Sequence, residues 1–234
     1  AMSDPDQTHT REALSRLKHL VVQDIFMTET AAYADVILPA SAFPEKDGTF
    51  TNTDRRVQMG RKAINPPGQA QQDWWIIQEI ANRMGLNWKY SDPSDVFSEM
   101  QQMMPSLTGI TWQRLLRESA VTYPCADENS IGESIIFSDG YPTPSGRGKL
   151  VPCAILPPDE QPDAYFPFIL TAGRLLEHCH TGARTRRASV LDTLEPEPFV
   201  HISPTDLVKW SIEPGDKVRV ATKRGVIELA ARSD

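Results

Sequence analysis

Residues Leu20–Pro39 read LVVQDIFMTETAAYADVILP. Leu20–Phe26 is a short apolar run rich in β-branched residues, the pattern of a buried strand. Thr28-Glu29-Thr30 offers side chains that can cap a short helix reaching Tyr33. Asp35–Pro39 is a second apolar run, stopped by proline. A strand, a short helix and a strand in close succession predict an α/β unit with a parallel sheet. Ligands of such sheets gather beyond the carboxyl ends of the strands, which directs attention to Gln23–Thr30 and Ala40–Asn52.

Upstream, Arg11–His19 reads as a helix. Downstream, TFTN and RRVQMG (within 49–60) read as strands near the Asp47-Gly48 turn signal. Asp73–Met84 is an amphipathic helix ended by Gly85, with Trp74, Ile77, Ile80 and Ala81 on one face and Trp75 beside it. Helices are also expected over Asp95–Met104 and Trp112–Ser119, and the methionines Met100, Met103 and Met104 read as core filler. Residues 122–162 are rich in Pro, Gly and Ser and read as a linker with short hairpins. Beyond it, Phe166–Gly173 reads as a strand running into a glycine turn, and Pro198–Ser203 as another strand. Ser203-Pro204 then opens a short helix, and Lys217–Ala231 forms a hairpin with its tip near Arg224-Gly225. Many short strands with short connections point to a β-barrel.

Composition narrows the function. The chain has 234 residues, 40% of them hydrophobic, enough for a real core. A formal net charge of −7 argues against a general nucleic-acid binder. No apolar run reaches the length of a membrane span. The three cysteines, Cys125, Cys153 and Cys179, form no CxxC pair and leave an odd count, which favours a reducing cytoplasm over a disulfide framework.

The densest chemistry lies in Thr171–Arg187, TAGRLLEHCHTGARTRR. His178 and His180 share a face if the run is extended, but zinc wants three or four protein ligands, and His9, His19 and His201 sit in unrelated contexts. Arg174, Arg184, Arg186 and Arg187 bracket Thr181 and Gly182. Guanidinium forks with hydroxyls and a close-approaching glycine backbone suit phosphate oxygens. The alternative is a solvated basic loop paired with Glu177, Asp192 and Glu195. A second basic cluster, Arg55, Arg56, Arg61 and Lys62, follows GTFTNTD and raises the expectation of a large anionic ligand. No GxSxG and no nucleophile triad is present, so the site set contains neither catalytic nor metal-ligating residues.

These stretches, VVQDIFMTETAAYADVILPASAFPEKDGTFTNTDRRVQ, DWWIIQEIANRMG, TAGRLLEHCHTGARTRR and PEPFVHISPTDLVKWSIEPGDKVRVATKRGVIEL, resemble in order the late part of molybdopterin-dependent oxidoreductase catalytic subunits. The resemblance runs strongest with formate dehydrogenase alpha subunits. It implies an α/β-plus-β-barrel chain: a partial Rossmann-like α/β domain (1–121), a linker (122–164) and a truncated double-psi-type β-barrel that binds molybdopterin dinucleotide (165–234). By position, it implies that Thr171, Arg174, His178, His180, Thr181, Gly182 and Arg186 line a molybdopterin guanine dinucleotide carrying Mo or W. Gln23, Thr28 and Asn52 join them from the first part.

The family's 4Fe-4S cysteines and metal-ligating Cys or selenocysteine have no counterpart here. The stretch therefore reads as a C-terminal fragment, inactive alone and prone to self-association, with retention of any cofactor by the fragment itself left open. Its partners would be the rest of the catalytic subunit, electron-transfer subunits and formate. A nitrate reductase-type enzyme and a non-catalytic scaffold like that of respiratory complex I are the alternatives.

Overall fold

The computed structural model describes residues 2–234. The chain divides into two compact units. One comprises Ala1–Leu20, Thr28–Asp35 and Ala154–Asp234, the other Val21–Met27 and Val36–Cys153. They are called the terminal unit and the central unit below.

The terminal unit begins with α1 (Gln7–Ser15), capped by Asp6, whose carboxylate accepts from the His9 amide. The helix starts before the expected Arg11 because this cap lies further upstream. In the central unit, β1 (Val21–Asp24) and β2 (Val36–Pro39) pair in parallel, Val21 opposite Val36 and Asp24 opposite Pro39, as the strand, short helix and strand succession predicted. Val21, Val36 and Ile37 are exposed rather than buried, because among the described residues the sheet has only these two strands. The connecting segment carries a 3₁₀ turn, Ala31–Tyr33. Next come β3 (Gly48–Thr51) and β4 (Arg56–Gly60), an antiparallel pair whose reversal is made by Asn52–Arg55 rather than by Asp47-Gly48. Arg55 takes a left-handed φ of 62° in that turn.

A parallel bridge from Ala40 to Gln71 ties the end of β2 to the start of α2 (Asp73–Arg83). This tether fixes the rotation of α2, so the buried face differs from the expected one. Ile76, Gln78 and Ala81 point inward, while Ile77 is 50% exposed and Trp75 and Ile80 are also exposed. Buried Gln78 is satisfied by a reciprocal pair with the backbone of Tyr90.

The main core packs α3 (Pro93–Met103), α4 (Trp112–Glu118) and β5 (Ala120–Thr122), which adds to β4. Its buried members are Val57, Phe97, Leu107, Ile110, Leu115, Val121 and Cys125. The methionines expected in the core are exposed instead, because α3 anchors through Phe97 and its last turn runs past the packed layer.

No strand forms over Phe166–Gly173. Phe168, Ile169 and Leu170 are exposed, and Pro167 cannot donate to a ladder. After a 3₁₀ turn at Thr185–Arg187 come α5 (Ser189–Leu194), β6 (Phe199–Ile202), α6 (Pro204–Trp210), β7 (Lys217–Thr222) and β8 (Gly225–Ser233). The Ser203 hydroxyl caps α6 by accepting from the Asp206 amide, as its Ser-Pro start predicted. The strands form an open sheet of order β6-β8-β7, parallel between β6 and β8 and antiparallel between β8 and β7. The fold is thus mixed α/β with several small sheets, and among the described residues no barrel closes.

Candidate functional site

The segment His178–Arg187 is held by side-chain hydrogen bonds, since no strand precedes it. His178 is 7% exposed, with both ring nitrogens engaged. Nε2 lies 2.7 Å from the Glu195 carbonyl oxygen and Nδ1 3.1 Å from the Thr185 hydroxyl. A carbonyl only accepts, so Nε2 carries the hydrogen, and in the neutral ring Nδ1 accepts from Thr185. The same Thr185 oxygen accepts from the Cys179 amide at 3.2 Å. Inside this frame the chain reverses tightly. His180 has φ 54° and Gly182 φ 74°, and the Gly182 amide donates back to the Cys179 carbonyl at 3.0 Å.

Arg186 packs under the turn. Its guanidinium donates to the Pro196 carbonyl at 2.7 Å and pairs with Asp192 at 3.2 Å. The alternative reading of a basic loop paired with its own acids therefore describes Arg186. It does not describe Arg174 and Arg184, whose guanidinium groups make no ion pair or hydrogen bond among the described residues. The His180 and Thr181 amides are likewise unpaired among the described residues. Two free amides, a threonine hydroxyl and two free guanidinium groups are the donor set an anionic phosphate group requires. Thr181 also lines a cleft of about 320 Å³ with Gln7, Arg11, Glu29, Thr30 and Tyr33. Thr171 is exposed on the irregular run before the turn, and buried Thr28 caps the Ala31 amide.

Sequence reasoning missed Thr185 and Arg232, and named Glu195 only as a partner for the loop's own arginines. Arg232 in β8 grips the Glu195 carboxylate through two nitrogens at 3.0 and 2.8 Å, and its guanidinium carbon lies 3.5 Å from the centre of the Phe199 ring. Hydrogen bonds from Arg232 hold the Glu195 carboxyl below the ordinary carboxylate range. Pairing across this distance in sequence leaves no local signal.

In the central unit, Gln23 at the end of β1 donates to Asp73 at 2.6 Å, and Lys46 pairs with the same carboxylate while donating to the Ser41 carbonyl. The Ser41 hydroxyl is buried without a partner among the described residues. Burial pushes the Asp73 carboxyl up, but the hydrogen bonds from Lys46 and Gln23 and the Lys46 charge outweigh it and set the group below its ordinary value. A carboxyl depressed in this way contributes stability that is present above its unfolded value and lost as pH falls through the folded one. Asp73→Asn should therefore melt below the wild type at neutral pH, with the gap closing below about pH 4. A gap that persists undiminished to about pH 3 in pH-resolved melting curves contradicts this.

Asn52 is exposed in the β3–β4 turn. The second basic cluster is largely structural. Arg55 donates to the carbonyls of Tyr123, Glu133 and Ser134, and Arg61 to that of Leu116.

The region holding β1 and β2 and the region holding the turn match different family models. Residues 1–83 match the molybdopterin oxidoreductase model, and residues 168–234 match the molydopterin dinucleotide binding domain. The chain therefore carries segments similar to both of these families. This chain is 48% identical over 233 residues to the F420-dependent formate dehydrogenase subunit alpha of Methanocaldococcus jannaschii, covering 99% of this chain and 34% of that protein. It is 39% identical to a putative formate dehydrogenase of Bacillus subtilis, covering 99% of this chain and 23% of that protein. It thus spans about a third or less of the length of these curated relatives. Acetylene hydratase from Pelobacter acetylenicus shares the fold, with a TM-score of 0.72 at 22% identity over 98% of this chain and 33% of that one. Among the described residues, no group of three or more His, Cys, Asp or Glu is placed to hold a metal, and no helix is long and apolar enough to cross a membrane.

Proposed function

We propose that this chain supplies the dinucleotide-holding part of a formate dehydrogenase, an enzyme that oxidises formate to carbon dioxide with release of a proton and two electrons. The observation that carries the reading is the turn at Cys179–Gly182. Its free amides and the unpaired Arg174 and Arg184 lie in the region matched by the dinucleotide-binding model.

The residues present suit a pyrophosphate. Arg174, His180, Thr181 and Arg184 would supply free donors to it, while His178, Gly182 and Arg186 frame the turn. Thr171 adds a hydroxyl ahead of the turn, and Gln23, Thr28 and Asn52 are weaker candidates by resemblance alone. When bound, a molybdopterin guanine dinucleotide with Mo or W supplies the two-electron redox chemistry. This chain's residues neutralise phosphate charge, fix the organic ligand's orientation and limit its motion.

The same reading assigns 1–121 to the Rossmann-like part, 122–164 to a linker and 165–234 to the dinucleotide-binding part. The three-stranded β6-β8-β7 sheet is then one portion of a double-psi barrel. The 4Fe-4S cluster and the metal-ligating side chain belong to other parts of the subunit, and electron-transfer subunits carry the electrons away. The odd cysteine count supports a cytoplasmic location.

The test is His180→Ala combined with Arg174→Ala in the full-length parent enzyme, reading acid-released guanine nucleotide and metal per chain. Loss of charge-assisted hydrogen bonds should lower both by about tenfold or more. Unchanged nucleotide and metal content would dismiss the reading.

A further inference from the structure

We propose that Glu195 is a positioning residue for the dinucleotide turn, transmitting the geometry of the terminal sheet to it through one residue's carbonyl and carboxylate. This rests on the reading of the turn as a phosphate cradle.

The chain of contacts is continuous. Arg232 belongs to β8, where His201 of β6 stands opposite it in register, so its backbone is held by the ladder. Its guanidinium stem is trapped against the Phe199 ring, and its two nitrogens take the Glu195 carboxylate in a fork. That pairing fixes residue 195 just beyond α5, where its amide also closes on the Leu191 carbonyl. The Glu195 carbonyl is thereby aimed at His178 Nε2 and determines which ring nitrogen carries the hydrogen. The other nitrogen meets Thr185, and Thr185 accepts from the Cys179 amide at the first residue of the turn. Each link is a directional hydrogen bond, so a shift of residue 195 reaches the His180 and Thr181 amides by way of the imidazole. Glu195 itself need touch no ligand.

A substitution at 195 leaves its backbone carbonyl in place but frees it to move. The experiment compares Glu195→Ala, Arg232→Ala and the exchanged pair Glu195→Arg/Arg232→Glu in the full-length parent enzyme. Glu195→Gln, which keeps the shape and removes the charge, covers the case in which the alanine variant fails to fold. The measurements are guanine nucleotide released per chain and hydrogen exchange of a peptide spanning 177–183 beside one spanning 225–233.

The expected result is a loss of retained nucleotide of roughly tenfold, the scale seen when groups orienting a ligand shell are removed. Exchange at 177–183 should rise while 225–233 stays protected, and the exchanged pair should recover at least part of both. Glu195→Ala with nucleotide and turn exchange unchanged, while His180→Ala/Arg174→Ala loses nucleotide, overturns the inference and leaves the proposed function standing. A loosened turn with nucleotide unchanged in both sets of variants supports the hold of Glu195 on the turn and overturns the dinucleotide reading.

Discussion

Replacing Arg114 with alanine is expected to destabilise the central unit by about 3–5 kcal/mol, the scale of a buried charge network losing one partner. Arg114 is 4% exposed. Its guanidinium donates to the carbonyls of Gly109 at 2.9 Å and Ser130 at 2.7 Å, contacts the Cys125 sulfur at 3.4 Å and pairs with Glu118. Because Glu118 is partly exposed, most of the loss comes from the carbonyls left without a donor, at roughly 1–3 kcal/mol each. Gly109 adds to the crowding, since a Cβ there would lie 2.2 Å from the Asp127 carbonyl oxygen. Arg114 therefore joins α4 to the loop after β5, beside a position, Gly109, that has no room for a side chain. Urea or thermal unfolding followed by tryptophan fluorescence, to which Trp112 beside the core contributes, measures the effect. A change below about 1 kcal/mol, the level of an ordinary surface ion pair, contradicts the account.

The second large effect is expected at Gly182. Its φ of 74° is strained for a side-chain-bearing residue, at about 1–2 kcal/mol. An added Cβ would also meet Arg186 Cγ at 2.9 Å and Cδ at 3.0 Å. Arg186 cannot swing aside without leaving Asp192 and the Pro196 carbonyl. Gly182→Ala should therefore open the turn and lower dinucleotide retention by about tenfold or more in the parent enzyme, since each 1.4 kcal/mol is a factor of ten. Nucleotide content per chain reads this directly, and retention equal to that of the wild type would show that the turn does not set binding.

The parts of the fold legible in the sequence were those governed by local pattern. Leu20–Pro39 announced two strands and a short helix because each run satisfies a local pattern within a few residues, and Ser203-Pro204 carried its own cap. Phe166–Gly173 looked like a strand by composition, yet a strand exists only with a neighbour, and none pairs with it. The basic residues show the same limit. Arg55, Arg61 and Arg186 read as ligand-binding by type, but their guanidinium groups meet backbone carbonyls brought near by folding. Arg174 and Arg184, with the same chemistry, do not. His178 was legible as important, whereas its role as the keystone of a frame depends on Thr185 and Glu195, which no spacing rule connects to it. The methionines of α3 and the outer face of α2 were misjudged because helical periodicity gives a face without saying which side the core occupies.

The most direct test of the central claim is a structure of the full-length parent enzyme loaded with its pterin dinucleotide. The account predicts a phosphate oxygen within about 3.2 Å of the Thr181 hydroxyl or of the His180 or Thr181 amide, with Arg174 or Arg184 paired to the same group. Phosphates seated elsewhere, with those two arginines and the turn facing bulk water, would contradict it.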